Sequence, residues 1–318
     1  MSGKNMASSW QDLIPIELLT EIYKYLPRCD RLSCSMVCQM WKEALNRKSL
    51  WKKIVLCIDK DFLGVKVDIS YRIQTKLEKL VFHNTNLPKT ECLKILDACM
   101  GSRNTVEYLE IHNYFYNFNT AFDTDEFVDY LRKFAYLKEL KVDYFIFSAN
   151  KVIDTIAENG RNHLKSVEIF IDETDIHSSI VPDRKWRKLK KCCPKVKVSI
   201  SIKNICHYEQ IRFIFLMKNI PLNSFSMHIG SKYNQKRSRS FEETLTHLLG
   251  NYWKTLEFIN LDIKNNKENI DDLLFQIVRN CPRLKRFLFD GIINEDMNVL
   301  CEICRYKQTA RGKLFYNL

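Results

Sequence analysis

Leu137-Lys-Glu-Leu140-Lys-Val142 is the stretch on which the reading of this chain turns. Its apolar residues stand first, fourth and sixth, so its second half alternates as a half-buried strand does. The same template recurs on both sides. Upstream lie Leu77-Glu-Lys-Leu80-Val-Phe82 and Val106-Glu-Tyr-Leu109-Glu-Ile111. Downstream follow Leu164-Lys-Ser-Val167-Glu-Ile169, Leu222-Asn-Ser-Phe225-Ser-Met227, Leu256-Glu-Phe-Ile259-Asn-Leu261 and Leu284-Lys-Arg-Phe287-Leu-Phe289. A weaker member, Val196-Lys-Val198-Ser-Ile200-Ser-Ile202, fills the remaining gap with shifted register. Starts at 77, 106, 137, 164, 196, 222, 256 and 284 are spaced by 26 to 34 residues, a period that marks a repeat.

The first fifty residues follow a different pattern. Pro15 suits a first helical turn, and Leu18, Leu19, Ile22 and Leu26 fall on one helical stripe. Pro27 stops that helix, and Asp30 is expected to cap the next. Cys34, Val37, Cys38, Trp41 and Leu45 form another apolar face at steps of three and four, and Leu50-Trp51 closes the segment. These are more large apolar side chains than about fifty residues can hide among themselves, which implies a partner. The order Ile14-Pro15-x-Glu17-Leu18-Leu19-x-x-Ile22-x-x-Tyr25-Leu26, Asp30, Val37-Cys38-x-x-Trp41, Leu50-Trp51 resembles an F-box. Ile14, where that family more often has Leu, is the visible departure. The resemblance implies docking onto the Skp-type adaptor of a cullin-RING ubiquitin ligase, with the remainder of the chain selecting a substrate.

Between the strand templates lie helical stretches. Cys92, Ile95, Leu96 and Cys99 share a face, as do Ile270, Leu273, Leu274 and Ile277, and Met297, Leu300, Cys301 and Cys304. Ser240-Phe-Glu-Glu243 reads as a capping box ahead of Leu245, Leu248 and Leu249. A strand and a helix in about thirty residues predict an α/β leucine-rich-repeat solenoid, parallel strands on its concave side and helices on its convex side. Cys281-Pro-Arg-Leu284 and Cys193-Pro-Lys-Val196 resemble the Cys-Pro-x-Leu step of the cysteine-containing repeats found in F-box proteins. The Asn expected after each strand is replaced by Thr85, Tyr114, Phe145, Asp172, Lys264 and Ile292, so the repeats are degenerate. Leu314-Phe-Tyr-Asn-Leu318 is expected to add a capping strand. The domains are expected to be an F-box over 8–54 and about eight repeats over 55–318.

Composition sets the class. The 318 residues are 46% apolar and 28% charged, as in a folded protein, and only eight Gly and seven Pro argue against tightly turned all-β sheets. No apolar run reaches the roughly 18 residues of a membrane span, and the first residues lack the apolar core of a secretion signal. A cytoplasmic or nuclear location is expected, with the twelve cysteines reduced. Neither a cofactor nor a metal is expected. Cys301-x-x-Cys304 is a lone pair on an apolar stripe, Cys192-Cys193 sits at a helix end, and no His-x-x-x-His pair occurs. Phosphate-cradling glycine loops and nucleophile elbows are absent from the sequence, so the chain reads as a non-catalytic adaptor.

Alternate strand residues point to opposite faces, so those beside the apolar ones nominate a concave, substrate-binding surface. They are Tyr108, Glu110 and His112; Glu139, Lys141 and Asp143; Glu168 and Phe170; Phe258, Asn260 and Asp262; and Arg286 and Asp290. Lys79, His83 and His228 fall on the same rows. The docking set on the F-box side is Leu13, Pro15, Leu18, Leu19, Ile22, Leu26, Val37, Trp41, Leu50 and Trp51.

The net charge of +12 is concentrated. Nine basic residues lie in Arg184–Lys203, with Trp186 among them, and Lys232, Lys236, Arg237 and Arg239 form a second group. They read as a solvated face, as a nucleic-acid or nuclear-localisation patch, or as a surface for an acidic or phosphorylated substrate. The expected partners are therefore the Skp-type adaptor, through it cullin and RING subunits, and an unknown protein substrate destined for ubiquitination and proteasomal degradation. No membrane or nucleic-acid partner is expected. The competing readings are a basic nucleic-acid-binding repeat protein, and an F-box scaffold without ubiquitin transfer.

Overall fold

The computed structural model describes residues 14–26, 28–51, 53–57, 78–83, 97, 106–112, 124–148, 151–160, 163–172, 175, 177–205, 208–228, 241–263, 268–291 and 293. Three short helices lead: α1 (Ile16–Tyr25), α2 (Arg28–Ser35) and α3 (Gln39–Leu45), followed by a 3₁₀ turn over Lys48–Trp51. Pro15 is the residue before α1, and its carbonyl accepts the Leu18 and Leu19 N–H groups at 3.0 and 3.2 Å. Asp30 lies inside the first turn of α2 rather than capping it, because that helix starts at Arg28.

Among the described residues a single sheet of nine strands follows, every neighbouring pair parallel and in strict chain order. Its strands are β1 (Lys53–Cys57), β2 (Lys79–His83), β3 (Tyr108–His112), β4 (Glu139–Asp143), β5 (Ser166–Ile171), β6 (Lys197–Lys203), β7 (Leu222–His228), β8 (Phe258–Asp262) and β9 (Arg286–Asp290). Between them run α4 (Thr124–Lys133), α5 (Tyr144–Ser148), α6 (Val152–Asn159), α7 (Asp183–Cys192), α8 (Tyr208–Ile214), α9 (Glu242–Tyr252) and α10 (Asp271–Asn280). A helical N-terminal region and a parallel sheet advancing one strand at a time make an α/β architecture consistent with a repeat solenoid. Among the described residues no helix is long and apolar enough to cross a membrane.

The template residues build the core as their spacing predicts. Leu140 and Val142, Val167 and Ile169, and Ile259 and Leu261 are buried, while the residues between them are half-buried or exposed. The first template residue closes the turn that brings the chain from helix to strand. Val196 N–H donates to Cys193 O at 3.0 Å and Leu284 N–H to Cys281 O at 3.2 Å, so both Cys-Pro steps make the same turn. Leu137 with Phe134 and Ile220 with Met217 repeat it without Cys or Pro. At Gly160 the approach is too close for a side chain: a Cβ would lie 2.7 Å from Ile156 O and 2.8 Å from Leu164 Cβ. Trp186 of α7 is fully buried and stacks on Phe147 of α5 with ring centroids 5.3 Å apart.

Three features of the sequence take definite form. The shifted register near Val196 is a one-residue bulge in β7: Val198 pairs with Leu222 but Ser199 with Ser224, leaving Asn223 as the extra residue. The cap of α9 comes from the following repeat, where the Glu268 carboxylate accepts the Phe241 and Glu242 N–H groups at 2.9 Å each. Glu243, assigned to the capping box, instead meets Arg212 at 2.7 Å. The backbone leaving the strands without Asn is satisfied in other ways: Ile263 N–H donates to Asp290 O at 2.8 Å, and Asp172 N–H to Asp175 Oδ2 at 2.9 Å. Cys92, Ile95, Leu96, Cys99, Ser240, Met297, Leu300, Cys301, Cys304, Leu314–Leu318 and the Asn-replacing positions Thr85, Tyr114, Lys264 and Ile292 lie outside the described residues.

Candidate functional site

Two surfaces carry the functional candidates. The first is on the N-terminal helices. Leu19, Tyr23, Ala44, Leu45 and Leu50 form a core of their own, flanked by half-buried Ile14, Ile16, Leu26, Cys34, Met40 and Trp41. Tyr23 pins α1 to α3: its hydroxyl donates to Trp41 O at 3.0 Å, and the two rings meet edge-on at 5.6 Å. Burial, then the neighbouring Cys34 and Cys38, push that hydroxyl up to about 12, so it stays a donor.

The predicted docking set divides around this core. Leu19 and Leu50 are buried inside it, and Leu26 and Trp41 flank it, so these four support the surface rather than form its exposed part. Pro15 is exposed at the start of α1. Leu18 is 52% exposed and Val37 58%, and Ile22 also stands in solvent. Leu13 and the Trp51 side chain lie outside the described residues. Two exposed residues were missing from the set, Tyr25 at 87% and Met36 at 81%. Tyr25 had a signal: Leu18, Ile22 and Tyr25 follow one another at steps of four and three along one side of α1. Large apolar side chains this exposed beside a closed core are what a docking face requires.

The second surface is the face of the sheet turned away from the helices. In-register pairing sets its residues in rows. Tyr108, Glu139 and Ser166 make one row across β3–β5, and Glu110, Lys141 and Glu168 the next. Lys79 Nζ lies 3.6 Å from the Tyr108 ring centre, the Tyr108 hydroxyl donates to Glu110, and Lys141 meets Glu168 at 2.8 Å. Burial lowers the Lys141 ammonium, but the Glu168 hydrogen bond and the charges of Glu168, Glu110 and Glu139 outweigh it and hold the group above its usual value. Asp143 pairs in register with Phe170. Beyond β5 the face continues through Ser199 and Ser201, whose repeat has a shifted register, and Ser224 and Ser226; none of the four was among the nominated residues. It ends on Phe258, Asn260 and Asp262 beside Arg286, Leu288 and Asp290, with His228 touching Asp262. The His83 and His112 side chains lie outside the described residues.

Asp175 is buried in the segment that follows β5. Burial pushes its carboxyl up to about 7; the charges of Asp172 and Asp143 add to that, while backbone hydrogen bonds at Asp172 and Phe145 oppose it.

The basic run 184–203 is not the unopposed patch its sequence suggests. Lys185 and Lys188 of α7 reach Asp154 of α6 at 3.4 and 3.1 Å, and Lys188 reaches Glu158 at 2.8 Å. Lys197 meets Glu257, which also takes Lys285 at 2.8 Å. Burial raises the Glu257 carboxyl, but its two lysine partners outweigh that and hold it low. Arg184, Arg187, Lys190 and Lys191 form the exposed side of α7, on the helical layer and not on the open sheet face. Lys232, Lys236, Arg237 and Arg239 lie outside the described residues. Cys193 and Cys281 are buried at the ends of α7 and α10, Cys193 with its thiol 3.9 Å from Ala157 O. No group of three metal-ligating side chains occurs among the described residues.

Comparison with known families bears on the first surface. The family model for the F-box domain matches residues 12–53, the segment that contains α1, α2, α3 and the exposed Leu18, Ile22 and Val37. F-box domains imply binding to a Skp-type adaptor and through it to cullin, and the proteins that bear them are generally non-catalytic adaptors. The chain thus carries an F-box domain, which supports a general role as an F-box adaptor of Skp–cullin–F-box ubiquitin ligases.

Proposed function

We propose that this chain is the substrate-recruiting subunit of such a ligase, with an F-box over 8–54 and a degenerate leucine-rich-repeat domain over 55–318. The F-box fixes one end to the Skp-type adaptor. The open sheet face holds a protein substrate, so that a substrate lysine stays near the charged E2 enzyme. The contribution is effective concentration rather than chemistry by the chain's own residues. The observation that carries the reading is the exposed apolar stripe of Leu18, Ile22 and Tyr25 beside a separately closed core, inside the F-box match. The repeat reading is supported by strands in strict chain order and by the recurrent helix-to-strand turn.

The test is co-purification of the full chain with a Skp-type adaptor and cullin, comparing the parent with a Leu18→Ala/Ile22→Ala variant. Loss of both partners from a variant that still melts as the parent supports the reading; undiminished capture overturns it. Ubiquitin-remnant profiling with and without the chain separates a ligase subunit from an F-box scaffold without transfer.

A further inference from the structure

We infer that the β3–β5 half of the open face receives a lysine- or arginine-rich segment of the partner protein. This rests on the substrate-recruiting reading above and names the chemistry of what is recruited. The charge of this region runs against that of the chain. In a protein of net charge +12, the face here carries four carboxylates, Glu110, Glu139, Asp143 and Glu168, against two ammonium groups, Lys79 and Lys141.

Both ammonium groups are already engaged, Lys79 on the Tyr108 ring at 3.6 Å and Lys141 on Glu168 at 2.8 Å. An anionic ligand would have to break those contacts and approach the carboxylates; a cationic one adds to an existing pattern. The rings point the same way. Tyr108 already accepts a cation on its face, and half-buried Phe170 stands on the same side of β5, in register with Asp143. The carboxylates act together on their surroundings: Lys141 and the Tyr108 hydroxyl both feel Glu110, Glu139 and Glu168. Of the basic run, Arg184, Arg187, Lys190 and Lys191 stand on the exposed side of α7, while Lys197 and Lys203 sit on β6, next to this region, with Lys197 paired to Glu257.

The experiment uses the full chain bound to a Skp-type adaptor and two short labelled peptides, one alternating Arg and Ser, the other Glu and Ser. Anisotropy at physiological salt is expected to show the Arg peptide binding about tenfold more tightly. Glu139→Lys/Asp143→Lys is expected to remove most of that preference, and Arg187→Glu/Lys191→Glu to leave it intact. Glu139→Gln, a milder change at an exposed position, gives an intermediate loss and guards against misfolding of the double variant. Equal binding of the two peptides, tighter binding of the Glu peptide, or indifference to the β4 changes overturns the inference. A complex that still captures its protein substrate after the β4 reversal keeps the ligase reading and sinks this one. Failure to bind the adaptor, with the Arg preference intact and sensitive to Glu139, does the reverse.

Discussion

Lys285 donates to Glu257 at 2.8 Å, while Lys197 reaches the same carboxylate from β6, two strands away. Glu257 is nearly buried, whereas both lysines are about half exposed. One carboxylate therefore ties the entrances of β6, β8 and β9 together, reaching past β7.

Replacing Glu257 with Ala is expected to cost about 1–2 kcal/mol, less than a fully buried pair because the lysines return to water. The Glu257 carboxyl is held low in the folded protein, so this stability is present above the ordinary carboxylate range and lost as pH falls through the lowered value. Denaturant melts of parent and Glu257→Ala should converge in acid and separate at neutral pH.

Leu18 and Leu19 are neighbours with opposite duties. Leu19→Ala empties part of a closed core and should destabilise the F-box by about 2–5 kcal/mol. Leu18→Ala, at a half-exposed position, should leave the melting temperature within about a degree or two and lower adaptor affinity. Calorimetry together with adaptor titration checks the split.

Asp175 gives a pH signature of the opposite sign. Its folded value of about 7 stands above the ordinary one, so the buried carboxyl costs nothing while protonated in both states. The cost grows as pH rises from the ordinary value toward 7, and is constant above it. Asp175→Asn keeps an oxygen for the Asp172 N–H and should be more stable than the parent at pH 8, by about 2 kcal/mol. The advantage should shrink toward pH 4; melts across that range test it.

Glu268→Ala removes the acceptor of two N–H groups at the start of α9, and about 1 kcal/mol of stability should go with it. Hydrogen exchange should quicken first at Phe241 and Glu242.

The sheet was legible because its signal is local and redundant: within one hexapeptide the period fixes which side chains enter the core, as Leu140 and Val142 do. The bulge was half legible. Leu222 and Phe225 fit the template, but only pairing with β6 shows Asn223 to be the extra residue. The Glu268 cap was illegible because donor and acceptor lie 27 positions apart in the chain, and a nearer Ser240–Glu243 pattern competed for the same helix end. On the F-box, adjacent leucines lie about 100° apart around a helix, so the stripe alone could not assign Leu18 to solvent and Leu19 to the core. The basic run looked unopposed because Asp154, Glu158 and Glu257 come from other repeats.

The extra residue at Asn223 also has a geometric price for any guest. A straight chain crossing the sheet along the Glu110–Lys141–Glu168 row passes to Ser199 and Ser224, and then to Phe258 and Arg286. The row beginning at Tyr108, Glu139 and Ser166 runs out at Lys197, where β7 has stepped out of phase. The next row, Asp143 and Phe170, also passes on, through Ser201 and Ser226 to Asn260 and Leu288. Three tracks thus enter from the acidic side and two leave, which makes the platform directional: a guest threaded backwards would meet its aromatic and charged stations in the wrong order.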